Sequence, residues 1–173
     1  MPNSDSIRHF SWLTSGQEAR LFHQAPLAFP RRGELERLAV GLGATLYMPA
    51  TRPTIAHDLQ ALAGRGVVSA VLCLEDAIPD AAIRDAERNL VDQLGELASA
   101  QAEGPGFLPL VFIRVRETSQ IARVVEESGD GAALVSGFVL PKFSPETGRA
   151  YLDEVRRLAL STSNSYLAMP VLE

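Results

Sequence analysis

Residues 67–76 read VVSAVLCLED: a run of eight residues that is apolar almost throughout, succeeded at once by two carboxylates. A strand with one wet face alternates apolar and polar side chains, whereas a strand covered on both faces does not alternate, and that second pattern belongs to parallel sheets. Gly64 and Gly66 stand just before the run and close off the amphipathic stretch that precedes it. Working outward, the same kind of run recurs at Ala44 to Pro49 (ATLYMP), Pro109 to Val115 (PLVFIRV), Val135 to Pro141 (VSGFVLP) and Tyr166 to Leu172 (YLAMPVL). Helical patterns fill the gaps. Ile55, Leu59, Leu62 and Ala63 share one face of residues 54–63, and Ile83, Ala86, Leu90, Leu94 and Leu97 keep helical spacing across 80–100. Thr118 is placed to cap a short helix with Ile121, Val124 and Val125 inside, and Ser144-Pro145-Glu146 reads as the start of a helix carrying Leu152, Val155 and Leu158. Strand-helix units recurring at about 30 residues predict an α/β fold with a parallel sheet.

The chain has 173 residues, with 16 Lys and Arg against 21 Asp and Glu, a formal net charge of −5. Its composition is that of one folded domain, and its acidity argues against nucleic-acid or anionic-membrane binding. No apolar run approaches the roughly 18 residues of a membrane span, and the opening MPNSDSIRHF does not resemble a secretory signal. One cysteine, Cys73, cannot form an internal disulfide, so a reducing cytoplasm is expected. Residues 1–43 look different from the rest: Trp12, Leu13, Leu21, Phe22 and Phe29 are scattered anchors between Pro26, Pro30 and Gly33. They are read as an N-terminal extension with short helices near 14–23 and 34–42, packed on a main body of residues 44–173.

The residues at the end of each apolar run carry the chemistry. Thr51 and Arg52 come after the first, Glu75 and Asp76 after the second, Arg114 and Arg116 lie at the end of the third, Lys142 ends the fourth and Glu173 the fifth. In a parallel sheet these ends meet on one edge, where α/β proteins place their sites. Charges at strand ends are often merely solvated, but recurrence at five ends points to a site. Arginines grip carboxylates and phosphates in a planar fork, and carboxylate oxygens suit Mg²⁺. The histidines His9, His23 and His57 lack zinc-type spacing, Cys73 falls inside a strand, and no phosphate loop or serine nucleophile elbow is present.

Taken together, LYMPATRP (46–53), VLCLEDAI (71–78), FIRVR (112–116), GFVLPKF (137–143) and AMPVLE (168–173) resemble the HpcH/HpaI aldolase and citrate lyase beta-subunit family, in family order and at about one βα unit of spacing. RHFSWL (8–13), ATLYMPATRPT (44–54) and SGFVLPKFSPETGRAYL (136–152) look closest to the carbon-carbon bond lyase branch associated with bacterial tellurium-resistance and stress-response operons. The resemblance implies a (β/α)8 TIM barrel of which about five units are present. It also implies Mg²⁺-dependent carbon-carbon bond cleavage or formation on a 2-keto acid or a CoA thioester. On the matching positions Glu173 would be a metal ligand, Arg114 would grip the substrate carboxylate, and Asp76 with Glu75 would hydrogen-bond metal-bound water or substrate. Lys142 and Arg116 would add positive charge at the rim, and Arg52 is a looser anion contact. The family's second metal-binding Asp has no counterpart here, and five strands read as the N-terminal part of a barrel cut short, with exposed edges that favour self-association. Two further readings stand beside the lyase: a non-catalytic remnant or module that binds an anion or a partner, and a complete five-stranded flavodoxin-like domain.

Overall fold

The computed structural model describes residues 6–76, 78–104 and 106–172. Five strands form one parallel sheet: β3 (Leu46–Pro49), β4 (Ser69–Cys73), β5 (Leu110–Arg114), β6 (Val135–Phe143) and β7 (Leu167–Leu172). Upstream, β1 (Ser6–Ile7) and β2 (Phe29–Pro30) make a small antiparallel ribbon. The helices are α1 (Ser15–Leu21), α2 (Leu35–Gly41), α3 (Ile55–Gly64), α4 (Ile83–Glu103), α5 (Ser119–Glu127) and α6 (Gly148–Thr162). Every long apolar run of the sequence is a strand, and every pair in the large sheet is parallel.

The strand order β3-β4-β5-β6-β7 is simply the chain order. A doubly wound sheet reverses direction at a switch point, and flavodoxin-like domains do so after their second strand, which leaves the switch point between the first and third. Here no reversal occurs, so the flavodoxin-like alternative gives way to the TIM-barrel arrangement, in which each right-handed crossover steps the same way and lays its helix on the same face.

Side-chain alternation then divides the core. Met48, Ala70, Leu72, Val111, Ile113, Phe138 and Leu140 face the helices and pack with Ile55, Leu59, Leu90, Leu94, Ile121 and Val155. The opposite, inner face carries Val71, Leu110, Phe112 and Val139. In a closed barrel that face is filled by layers of side chains from all strands. In this chain the N-terminal segment contributes to the same cluster: Ile7 and Leu38 are buried against it, with Phe29 and Leu42 partly buried beside them. Trp12 completes the contact by lying over Gly66, whose φ of +81° and proximity to the indole leave no room for a side chain; a Cβ there would come within 1.7 Å of the ring.

Two local expectations differ in detail. Thr118 precedes α5, but its backbone is already helical (φ −58°, ψ −39°) and its hydroxyl makes no capping bond, because a side-chain cap needs extended backbone. Ser144 does not begin α6. Its Oγ instead accepts from the amides of Glu146 at 3.2 Å and Thr147 at 3.3 Å, closing a turn that delays the helix to Gly148. Among the described residues, no helix is long and apolar enough to cross a membrane.

Candidate active site

At the C-terminal edge of the sheet, Arg114 is the last residue of β5, and its register partner on β4 is Cys73. Alternation puts Arg114 in line with Leu110 and Phe112, on the inner face. Glu75 lies two residues past β4 and keeps the same parity as Val71 and Cys73. Backbone bonds prolong the ladder beyond the strands, with Ala50 N–H donating to the Cys73 carbonyl and Leu74 N–H to the Arg114 carbonyl, each at 2.9 Å. The strand ends therefore hold their side chains on a rigid frame.

The charges meet on that frame. Arg114 Nη2 is in direct ionic contact with Glu75 Oε2 and lies 2.8 Å from Asp76 Oδ2. The Glu75 and Arg114 side chains are 7% and 15% exposed, whereas Asp76 is 69% exposed, so the cluster runs from the interior to solvent. Lys142 Nζ stands 3.9 Å from Glu75 Oε1. Lys142 has left-handed backbone (φ +49°) inside the stretch where the β6–β7 register shifts, between Leu140 and Phe143. Bulges of this kind re-aim side chains beside functional sites, and a non-glycine residue in this region marks local strain. Burial works against the Arg114 charge, but the nearby Glu75 and Asp76, with smaller contributions from Cys73 and Tyr47, outweigh it and raise the guanidinium above its ordinary range. Arg114 Nε is buried without a hydrogen bond, as are Arg116 Nε and Arg123 Nε, while Glu75 Oε2 is occupied by the ionic contact with Arg114 Nη2.

The remaining expected residues are placed differently. Arg52 is half exposed and its Nε bonds Asp58, which also accepts from Thr54 Oγ1 at 2.7 Å. The hydrogen bonds from Arg52 and Thr54 hold the Asp58 carboxyl down at about 2. Asn89 on α4 fixes the loop that carries Arg52, donating to the carbonyls of Ala50 at 2.7 Å and Arg52 at 2.9 Å. Arg116 bonds the carboxylate of Asp80 and the carbonyls of Glu75 and Ile78. Glu173 lies outside the described residues. His57 is exposed on α3 beside Asp58, and Cys73 is a buried free thiol.

Sequence reading missed Glu87. Its carboxylate is buried and receives Gln120 Nε2 and Arg123 Nη2, each at 2.7 Å, with Arg84 Nη1 at 3.2 Å. The signal was present: Glu87 falls on the α4 stripe defined by Ile83, Leu90, Leu94 and Leu97, and a charge on an apolar stripe needs buried partners.

Residues 36–173 match the family described as C-C bond lyase of the TIM-barrel fold. The chain belongs to that family. Solved structures that it resembles include a citrate lyase beta subunit from Mycobacterium tuberculosis complexed with oxaloacetate and magnesium, at 14% identity and a TM-score of 0.24, covering 73% of this chain and 76% of that one. Another is the protein CitE from the same organism in complex with magnesium, acetoacetate and coenzyme A, at 17% identity and a TM-score of 0.26, where the match covers 73% of this chain but 64% of the other. At those TM-scores the membership rests on the family match. No curated protein matches the chain.

The described residues of this chain do not fit a divalent cation by themselves. No group of three or more His, Cys, Asp or Glu side chains converges among them, and Glu75 and Asp76 are directed at Arg114. A cavity of about 390 Å³ opens at the other end of the sheet, lined by Arg32, Leu108, Ser136 and Asn164 among others, away from this cluster.

Proposed function

We propose that this chain works as a carbon-carbon bond lyase or aldolase on a small anion of the 2-keto-acid or acyl-CoA type. The observation that carries the reading, within the family, is Arg114: an inward-facing, largely buried guanidinium at a strand end, held by two carboxylates. Breaking the bond between the carbons α and β to a carbonyl leaves the electron pair on an enolate, which then takes up a proton, and releases the other fragment as a carbonyl compound or, from oxaloacetate, as CO2. A guanidinium fixed in advance on the substrate carboxylate orients the substrate for that step, and it needs no reorganisation as charge develops. In this reading Arg114 grips the substrate carboxylate, Glu75 fixes the direction of the guanidinium, and the exposed Asp76 hydrogen-bonds the substrate. Lys142 adds positive charge at the rim. Arg52, bound to Asp58, takes part only if substrate displaces that contact.

Mg²⁺ enters the proposal as the cofactor expected from the resemblance, with Glu173 as its expected ligand. The motif wording assigns the chain, on resemblance, to the branch found in tellurium-resistance and stress-response operons, in a cytoplasmic setting that keeps Cys73 reduced. Residues 44–173 are read as the barrel part and 1–43 as an N-terminal extension packed on it.

The test is cleavage of oxaloacetate by the full chain, with and without Mg²⁺, beside Arg114→Lys and Arg114→Ala. Turnover is expected to vanish in Arg114→Ala and to fall by roughly tenfold or more in Arg114→Lys, since an ammonium cannot reproduce the planar fork. Undiminished turnover in Arg114→Ala would refute the assignment, and tight binding without any cleavage would leave an anion-binding module.

A further inference from the structure

Arg116 turns its side chain back onto the chain's own backbone. It lies two residues past Arg114, and its guanidinium reaches three acceptors on the segment that leaves β4 and enters α4. Nη2 donates to the Glu75 carbonyl at 3.0 Å and to the Ile78 carbonyl, and Nη1 pairs with the Asp80 carboxylate. The Glu75 carbonyl also accepts the Ile78 amide at 3.0 Å, so clamp and turn share one oxygen. The backbone of Arg116 is fixed in its turn. Its N–H donates to Gln120 Oε1 at 2.5 Å, and its carbonyl accepts the Tyr151 hydroxyl at 3.3 Å. Gln120 is buried and donates to Glu87, which Arg123 also holds. A continuous set of hydrogen bonds thus runs from the α4–α5 interior to the residues that face Arg114.

We propose that Arg116 is a positioning residue. By fixing the Glu75 and Ile78 carbonyls and the Asp80 carboxylate, it sets where Glu75 and Asp76 stand, and through them the direction in which Arg114 offers its guanidinium to an anion. Only a planar group with several donors in fixed directions can serve these acceptors together. The functional half of the inference rests on Arg114 as the carboxylate grip. The clamp itself rests only on the contacts above.

Two variants of the full chain test it, Arg116→Lys and Asp80→Asn. The Asp80 side chain is 96% exposed, so its substitution takes the charge out of one clamp contact without touching the core. The readouts are hydrogen exchange at the Ile78 amide by NMR and oxaloacetate affinity by calorimetry. Exchange at Ile78 is expected to quicken by about tenfold in Arg116→Lys and by a smaller factor in Asp80→Asn, because both loosen the turn locally. Oxaloacetate is expected to bind more weakly in both. If Arg116 instead touches the anion directly, freeing it from Asp80 strengthens binding, and that opposite sign overturns the proposal. Unchanged Ile78 exchange in Arg116→Lys overturns it as well. If the wild-type chain binds no oxaloacetate, the Arg114 reading fails, and the Ile78 exchange alone then upholds or overturns the clamp.

Discussion

Glu75 and Glu87 are both carboxylates shut away from water, at 6% and 3% exposure, and both are paired with arginine. Around Glu87 the donors close in: Gln120, Arg123 and Arg84 all reach its two oxygens. Around Glu75 they do not. Arg114 Nη2 is in ionic contact with Oε2, and Lys142 Nζ stands 3.9 Å from Oε1, beyond hydrogen-bond reach. A buried carboxylate with donors on both oxygens holds helices together; one with an oxygen beyond hydrogen-bond reach of its cation, at a strand-end edge, can still accept a bond. The difference sets a carboxylate of the helix scaffold apart from one of the candidate site, although exposure and partner type alone make them look alike.

Removing each charge by the same isosteric change is the strongest way to break that contrast. Glu87→Gln is expected to cost about 2 kcal/mol, because Arg123 loses its buried counter-charge, whereas Glu75→Gln is expected to cost less than about 1 kcal/mol, since Asp76 still faces Arg114. Urea denaturation of the two variants checks the order, and a larger cost at Glu75 would reverse the comparison.

Acid titration sharpens it. Burial alone would raise the Glu87 pKa, but hydrogen bonds from Arg123 and Gln120 and the charges of Arg123 and Arg84 bring it below its ordinary 4.5. A depressed folded-state pKa means that the unfolded chain takes up the proton first. The Glu87 contribution is therefore complete above pH 4.5 and is lost as pH falls below that value towards the folded-state pKa. Stability of the wild type should decline on acidification through this window, and Glu87→Gln should show a shallower decline in the same denaturation series.

The smallest effect is at the exposed pair. Arg52→Ala should let the Asp58 carboxyl rise from about 2 towards its unperturbed 3.8, visible by NMR titration, with little change in stability because Arg52 is half exposed and Thr54 still bonds Asp58.

Much of this architecture was legible in the sequence for a physical reason: strands covered on both faces must be apolar on both, and VVSAVLCL and PLVFIRV could hardly be anything else. The convergence of Glu75, Asp76, Arg114 and Lys142 came from the same pattern, since parallel strands end together. The ribbon of Ser6–Ile7 with Phe29–Pro30 was not legible, because two residues per strand carry no periodicity. The partners of Arg116 were equally hidden. They are mostly backbone carbonyls some forty positions back along the chain, and a carbonyl leaves no mark in a sequence. Arg52 looked like a strand-end cation of the same kind as Arg114, but Asp58, six positions later in the next helix, takes its guanidinium.

The contact between Trp12 and Gly66 gives the protein its own fluorophore. The chain contains one tryptophan, and it sits where the N-terminal segment meets the turn leading into β4. Its emission therefore reports a single event, the docking of that segment on the sheet, without interference from any second indole. Lift-off of the extension is then visible as a change in indole emission while the helical circular dichroism of the remainder stays constant, which separates undocking of the N-terminal segment from unfolding of the strands that carry the site.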